Sequence, residues 1–308
     1  MQALAFAHIA AEDWARMHSL LSCGVTPFIL EIHQQFCSRL PASMLTLEDG
    51  SIMLAGEVRK KNVSVGKHIA PDQACIADFL NRYASVYGGV IDKSKNSGIH
   101  QLLAVAACMI AHHRLVWIHP FADGNGRVAR IVLDTMLREC GLNSAGLWSM
   151  SRGFAKSSEE YKTRLADADQ TRHSDLDGRG NLSESALVEF CRYAMKTASD
   201  QVKFMESLFS FGKFEDRCMH YFLKVRHDIR PESAYLYIHA FRFGEFERGE
   251  STRLTGCSER TARDILARLI SEGFLISDTP KGKVRAGFPV HALGTLFPNL
   301  YPAGDLDR

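Results

Sequence analysis

Residues 118–130 read Ile118-His-Pro-Phe-Ala-Asp-Gly-Asn-Gly-Arg-Val-Ala-Arg130, and this stretch decides the fold. The run before it, from Gly98 to Arg114, is apolar on nearly every face, which predicts a central, buried helix. After it, apolar residues recur at spacings of three and four from Val128 to Leu137, and Gly141 is suited to end that helix. The quoted stretch is therefore predicted to be a loop that enters a helix at the centre of a mainly α-helical bundle.

The residue types in this loop favour phosphate binding. Gly124, Asn125 and Gly126 permit unusual backbone dihedrals, so their N–H groups can converge on an anion at the positive end of the following helix. Arg127 and Arg130 are three residues apart and share a helix face, where two guanidinium groups repel unless a multiply charged anion lies between them. A polyphosphate satisfies both arginines.

Two further residues of the loop predict chemistry on that phosphate. Asp123 supplies one carboxylate, and magnesium is commonly held by one or two carboxylates together with phosphate oxygens and waters. His119 has an ordinary pKa near neutrality and can accept a proton from an incoming hydroxyl. An isolated Gly-Asn-Gly-Arg could equally be a helix cap with solvated charges. The combination of base, carboxylate, glycines and arginines favours a site.

The stretch from His119 to Arg130 resembles, without departure, the signature H-x-F-x-[DE]-G-N-G-R-x-x-R of the Fic family. The resemblance implies transfer of AMP from ATP to a Ser, Thr or Tyr hydroxyl of a target protein. It makes His119 the base and Phe121 a core anchor. It places Mg²⁺ at Asp123, and it assigns the phosphates to Gly124, Asn125, Gly126, Arg127 and Arg130.

The resemblance covers residues from about 25 to 210. Residues 56–59 and 63–69 look like the family's flap, a hairpin that aligns the target segment by β-augmentation; the docking residues are Val63, Ser64, Val65 and Gly66. Tyr161 and Leu165 look like the contacts to the adenine base, although Lys162 replaces a second tyrosine common in the family. The family's inhibitory motif [ST]-x-x-x-E-[GN] is absent, because Arg268 stands four residues before Glu272-Gly273. We therefore expect activity without an activating mutation.

The pattern after Pro231 predicts a second domain. Helices are predicted over 233–243, 251–255 and 259–271, with Ser258 as an N-cap and Gly273 as the end of the last helix. Two strands follow, at 274–277 and 284–288, and this order is typical of a winged helix-turn-helix. Basic residues on its third helix and wing fit DNA, whereas many winged helices dock proteins. The sequence leaves both DNA and protein open as partners. The basic residues concerned are Arg260, Arg263, Arg268, Lys281, Lys283 and Arg285.

Composition sets the remaining expectations. The chain has 308 residues and a formal charge of +2, so no whole-chain field indicates nucleic acid or an anionic membrane. The apolar run in 98–114 meets His112, His113 and Arg114, so we expect no membrane span. The N-terminus lacks a signal-peptide pattern, and the eight cysteines show no C-x-x-C; a cytoplasmic protein follows.

These observations predict a Fic bundle with a hairpin flap, joined to a C-terminal winged helix. The predicted boundaries are an N-terminal helical segment at 1–24, the Fic domain at 25–210, a linker helix at 211–231 and the winged helix at 232–308. The predicted function is protein adenylylation with Mg²⁺ and ATP. The alternatives are transfer of another nucleotide, removal of AMP, or a winged-helix regulator whose Fic domain senses nucleotide. The sequence is also compatible with a homodimer.

Overall fold

The computed structural model describes residues 2–47, 49–66, 68–94, 98–142, 148–208, 211–298 and 300. The chain divides into two units, Met1–Val202 and Lys203–Arg308. Lys67 of the predicted flap and residues 301–308 of the predicted C-terminal domain lie outside the described residues.

The first unit is a helical bundle with one small hairpin. Its elements are α1 (Gln2–Met17), α2 (Leu20–Cys23), α3 (Val25–Cys37), α4 (Ala42–Leu45), β1 (Ser64–Val65), β2 (His68–Ile69), α5 (Ile76–Tyr83), α6 (Gly89–Lys93), α7 (Gly98–Ile118), α8 (Asn125–Glu139), α9 (Met150–Lys156), α10 (Ser158–Ala168) and α11 (Glu184–Leu208), whose last residues belong to the second unit. A 3₁₀ turn lies at Gln73–Cys75 and a π-helical turn at Ala84–Gly88.

The helix that the sequence predicts to be central is α7. It packs against α5, α6 and α8, and His112 and His113 near its end are buried. By length and composition alone, α7 is the one helix among the described residues that could cross a bilayer, contrary to our expectation from its histidines. Its second half is buried as in a core helix, whereas Ile99, Leu102 and Leu103 are exposed, so the prediction of a buried helix is wrong for its first turns.

The helix that follows the motif ends where the sequence predicts. Gly141 has a φ of +81°, and the N–H groups of Gly141 and Leu142 donate to the carbonyls of Arg138 and Leu137 at 2.9 Å each. This pair of bonds is a Schellman motif, which needs a left-handed residue and therefore favours glycine. The predicted end of α8 is confirmed.

The predicted hairpin also forms. β1 and β2 pair antiparallel, with Ser64 opposite Ile69 and Val65 opposite His68. Farther from the turn, Ala70 N donates to Val63 O at 3.3 Å. Because bonded and non-bonded pairs alternate along an antiparallel ladder, Ser64 directs its N–H and C=O away from the partner strand. The flap therefore has a free backbone edge at Ser64.

The second unit has its own core. Its elements are α12 (Phe211–His220), a π-helical turn (Tyr221–Val225), α13 (Ser233–Phe243), β3 (Glu245–Phe246), a 3₁₀ turn (Arg248–Glu250), α14 (Ser251–Thr255), α15 (Glu259–Ser271), β4 (Leu275–Ile276), β5 (Val284–Ala286) and α16 (Val290–Leu296). The sheet has the order β3-β5-β4 and is antiparallel. β3 is a third strand that the sequence did not predict.

Two segments predicted as separate parts of the chain belong to the cores of the two units. The sequence predicts a linker helix at 211–231, yet Phe214, Cys218 and Tyr221 are buried in the core of the second unit. Likewise α1, predicted as a separate N-terminal segment, packs on α3 and α8 of the first unit. In both segments apolar residues recur at helical spacing, and such a face is buried wherever a complementary surface is available.

Candidate functional site

The loop between α7 and α8 carries the motif and is held in an unusual backbone conformation. His119 has a φ of +51°, the one positive φ at a non-glycine residue among the described residues, and Gly124 has a φ of +81° at the N-cap of α8. The buried Asn125 side chain accepts from Phe121 N at 2.9 Å and donates to Phe121 O at 2.8 Å. A left-handed non-glycine residue costs free energy that surrounding contacts must offset, and such residues cluster at functional sites.

His119 is arranged to act as a base. Its Nδ1 lies 3.1 Å from Val116 O, and because a carbonyl can only accept, Nδ1 carries the proton and Nε2 keeps its lone pair. Burial lowers the pKa of His119, outweighing the opposing effect of the Val116 carbonyl. The ring is therefore neutral at pH 7, the form that can accept a proton.

Arg59 holds the motif loop in place. Its Nε donates to His119 O at 2.8 Å, while Nη1 and Nη2 donate to Lys61 O at 2.7 Å and Pro71 O at 2.5 Å. Its main-chain N–H donates to Pro120 O at 2.8 Å. The side chain is only 5% exposed. One buried guanidinium thus ties both ends of the flap to the loop that carries the base.

His33 on α3 is a second support of the loop, and the sequence analysis missed it. Its Nδ1 accepts from Gly56 N at 3.0 Å, which leaves Nε2–H to donate to Asp123 O at 3.3 Å. The ring stacks on Phe121 with centroids 3.9 Å apart, and burial lowers its pKa to about 4. The available signal was a histidine within the apolar face of α3.

The N-terminus of α8 is open to an anion. The N–H groups of Asn125 and Gly126 make no hydrogen bond to any described residue, whereas the Arg127 and Val128 N–H groups donate to Gly124 O. A Cβ built on Gly126 would lie 3.2 Å from Arg130 Nη1, so the Arg130 guanidinium lies over the helix start. Free N–H groups and a guanidinium at a helix N-terminus are what a phosphate requires.

Arg127 points towards α3. Its guanidinium lies 5.2 Å from the centroid of the Phe36 ring, which is a cation–π distance. The two motif arginines therefore contact different neighbours, since Arg130 lies beside the Tyr161 hydroxyl. That both arginines bind one polyphosphate stays a prediction.

Tyr161 and Leu165, which are predicted to contact the adenine base, are less accessible to solvent. Tyr161 is buried, its hydroxyl lies 2.9 Å from His112 Nε2, and its ring stacks on Phe154 with centroids 4.4 Å apart. Leu165 is half-buried against the same core. Because stacking needs an exposed ring face and Tyr161 is only 9% exposed, its ring must move before it can stack on adenine. Its role in base binding stays a prediction.

Asp123 meets the requirements for a magnesium ligand that needs further oxygens. It is exposed, and its Oδ1 accepts from Gly124 N at 2.6 Å. Among the described residues no group of three or more metal-binding side chains occurs. Magnesium keeps several waters and is often held by one carboxylate plus substrate phosphates, so a lone carboxylate beside a phosphate cradle fits it.

A cleft of about 710 Å³ is lined by both His119 and the flap. Its lining includes the motif residues His119, Ala122 and Asp123, the flap residues Val63, Ser64 and Val65, and Thr46, Leu47 and residues 51–54. Val65 on the flap is 52% exposed. The cleft can therefore hold a segment of another chain beside His119 and along the free edge of the flap.

These features define a helical domain with N–H groups unpaired among the described residues and an arginine at one helix start, a neutral histidine and a hairpin beside it. The family model of the Fic/DOC family matches residues 26–137, which include the flap and the whole motif. Residues 26–137 of the first unit therefore match a Fic/DOC family domain. Tyr161 and Leu165 lie beyond the matched residues.

Relatives with this domain are known. The chain is 35% identical to "Protein adenylyltransferase Fic" of Drosophila virilis over 86 residues, 28% of this chain and 16% of that protein. It is 32% identical to the protein of the same name from Aedes aegypti over 113 residues, 37% and 19% of the two chains. The chain thus spans less than a fifth of the length of these relatives.

Solved structures resemble it more distantly. A Fic family protein from Desulfovibrio desulfuricans G20 matches 92% of this chain and 73% of its own, at 20% identity and a TM-score of 0.44.

Proposed function

We propose that this chain is a protein adenylyltransferase that moves AMP from Mg²⁺-ATP to a Ser, Thr or Tyr hydroxyl of a target protein. The observation that carries the proposal is the neutral His119, with Nε2 unprotonated, in the lining of a cleft that the flap also lines. The names of the relatives, which share the domain, support the choice of AMP.

The reaction that these residues would perform is an in-line displacement. The target oxygen forms a bond to the α-phosphorus, the bond from that phosphorus to the bridging oxygen breaks, and pyrophosphate leaves. His119 Nε2 takes the proton of the target hydroxyl. The Asn125 and Gly126 N–H groups and Arg130 would stabilise charge on the phosphate oxygens. Magnesium held at Asp123 would supply neutralisation of the phosphate charge.

The direct test uses ATP labelled at the α-phosphate and, in parallel, at the γ-phosphate, incubated with the chain and a cell lysate. Protein-bound α-label with a mass increase of one AMP supports the proposal. Protein-bound γ-label would show a kinase instead. Parallel reactions with labelled GTP, CTP and UTP report the nucleotide preference, and release of AMP from a labelled protein would show the reverse reaction.

Replacing Arg130 by alanine should weaken ATP binding roughly 10- to 100-fold, because one charge-assisted contact to the outer phosphates is lost. AMP binding should change by less than about twofold, because AMP does not reach that side chain. Calorimetry with a non-hydrolysable ATP analogue and with AMP measures both, and Arg82→Ala, at an exposed arginine on α5, is the matched control. Equal losses for the two nucleotides would make Arg130 a structural residue.

Replacing Ser64 by proline should remove target labelling while ATP binding is retained. Proline deletes the N–H that Ser64 directs away from β2, and it is tolerated where a strand edge faces solvent. Ser64→Ala keeps this N–H and serves as the matched control, so it should label like the unmodified chain. Labelling by both variants would show that the target does not pair with this edge.

We also propose that the second unit is a winged helix, with α14 and α15 as its helix-turn-helix and β4 and β5 as its wing. Four of the six predicted basic residues form ion pairs: Arg263 with Glu259, Arg268 with Asp228 and Glu272, Lys283 with Glu245, and Arg285 with Asp278. Exposed ion pairs are weak and phosphates can displace them. Binding to random duplex DNA at several salt concentrations separates a DNA partner, whose affinity falls steeply with salt, from a protein partner.

A further inference from the structure

A cluster of two histidines and one carboxylate joins the flap to the bundle, and the proposed reaction does not use it. Asp169 directly follows α10. Nδ1 of His68, on β2, lies 3.0 Å from Asp169 Oδ2. His113 on α7 places Nε2 3.0 Å from Asp169 Oδ1, a distance of an ion pair without the angles of a hydrogen bond. His68 Nε2 lies 2.9 Å from Trp117 O. We call His68, Asp169 and Trp117 O the flap latch.

The geometry of the latch requires a proton. Both ring nitrogens of His68 lie close to oxygens: Nδ1 is at an ion-pair distance of 3.0 Å from the Asp169 carboxylate, and Nε2 is 2.9 Å from the Trp117 carbonyl. A neutral imidazole has a single N–H, so only the imidazolium satisfies both acceptors. The positive charge therefore belongs to His68, since burial lowers the pKa of the neighbouring His113.

The surrounding charges support this distribution. The nearby Asp169 carboxylate raises the pKa of His68 against the effects of burial and of Arg59. Burial opposes ionisation of Asp169, but the two histidines outweigh it and lower its pKa to about 2. The charged or titratable groups that face the latch are Arg59, His113, His119 and Arg179.

The latch lies beside the base. The rings of His68 and His119 have centroids 6.3 Å apart, and Trp117, whose carbonyl accepts from His68, lies two residues before His119. On the other side, His68 pairs with Val65 on the strand that carries the free edge. A shift of His68 would therefore displace the edge relative to the base.

We propose that His68 is a positioning residue: its imidazolium, held by Asp169 and the Trp117 carbonyl, fixes the flap at the distance from His119 that places the target hydroxyl for attack. This role rests on the proposed function. It differs from the docking of a target along the flap, because His68 faces the bundle and acts before any target binds.

The two histidines then respond to pH in opposite directions. The pKa of His68 is raised, so the latch is complete below the pKa of a free imidazole and is lost as the pH rises through the raised value. The pKa of His119 is lowered, so the base is lost only as the pH falls through a value below that of a free imidazole. Transfer should show a bell-shaped pH profile, with His68 on the alkaline limb.

The test compares His68→Gln and Asp169→Asn with the unmodified chain, with Asp175→Asn, at an exposed carboxylate, as the matched control. Hydrogen exchange of peptides covering residues 60–70 should increase at least about tenfold in both latch variants, and the control should not change. ATP affinity should stay within about twofold, while the rate of α-label incorporation into protein of a cell lysate falls at least about tenfold. Melting temperatures check that each variant is folded.

A titration adds a readout that a purely structural role would not move. The NMR signal of the His68 imidazole, assigned by its absence in His68→Gln, should titrate with a lower midpoint in Asp169→Asn than in the unmodified chain. Unchanged flap exchange or an unchanged midpoint would overturn the proposal. If the unmodified chain transfers no AMP, the proposed function fails, and the exchange and titration results still decide whether the latch exists.

Discussion

Replacing His119 by alanine is expected to reduce AMP transfer at least about 100-fold, the size of a general-base contribution. The reason is that Nε2 is the unprotonated nitrogen of a ring that lines the cleft, and burial keeps this ring neutral. Affinity for ATP should change by less than about twofold, because the ring acts on the incoming hydroxyl and not on the phosphates. Single-turnover labelling and calorimetry measure the two quantities.

The matched control for this substitution is His173→Ala, at an exposed histidine of the same unit. It should label at the rate of the unmodified chain. A comparable loss of ATP affinity in His119→Ala would show that His119 binds nucleotide or maintains the loop. The second role is the main alternative because His119 has a left-handed backbone.

Replacing Arg59 by methionine is expected to lower the free energy of unfolding of the first unit by about 3 kcal/mol, about 1 kcal/mol for each side-chain-bonded carbonyl left without its donor. These carbonyls belong to Lys61, Pro71 and His119. For a unit of this size the melting temperature should fall by roughly 6 to 12 °C. Transfer should also fall, because one of the three carbonyls belongs to the base.

Calorimetric or circular-dichroism melting of Arg59→Met and of Arg82→Met checks this prediction, since Arg82 is exposed on α5. Methionine keeps most of the apolar stem, so the comparison isolates the guanidinium. If Arg59→Met melts like the control but loses transfer, the guanidinium acts on the loop alone and not on stability.

Several features could be derived from the sequence because their causes are local. The ends of α8 and α15 follow from Gly141 and Gly273, each of which closes a Schellman pair of hydrogen bonds. The start of α15 follows from Ser258, whose side chain accepts from Thr261 N. The Gly124 to Arg130 helix start is similarly local, because backbone freedom and charge spacing are properties of neighbouring residues.

Tertiary structure alone decided which residues support the motif. His33, Arg59 and Asp169 are far apart in sequence, yet the first two hold the motif loop and the third holds the flap. The burial of Tyr161 was equally hidden, because helical spacing shows which residues share a face and not what covers that face.

The physical reason is the range of the interactions. Caps, turns and helix starts form between residues a few positions apart, so their donors and acceptors can be paired by counting along the chain. The partner of a buried guanidinium or imidazole is whichever acceptor the packing of distant segments brings within about 3 Å, because an unpaired buried group is costly. The sequence by itself determined the chemistry of the loop from His119 to Arg130, and only the packed bundle decided how that loop and the flap are held together.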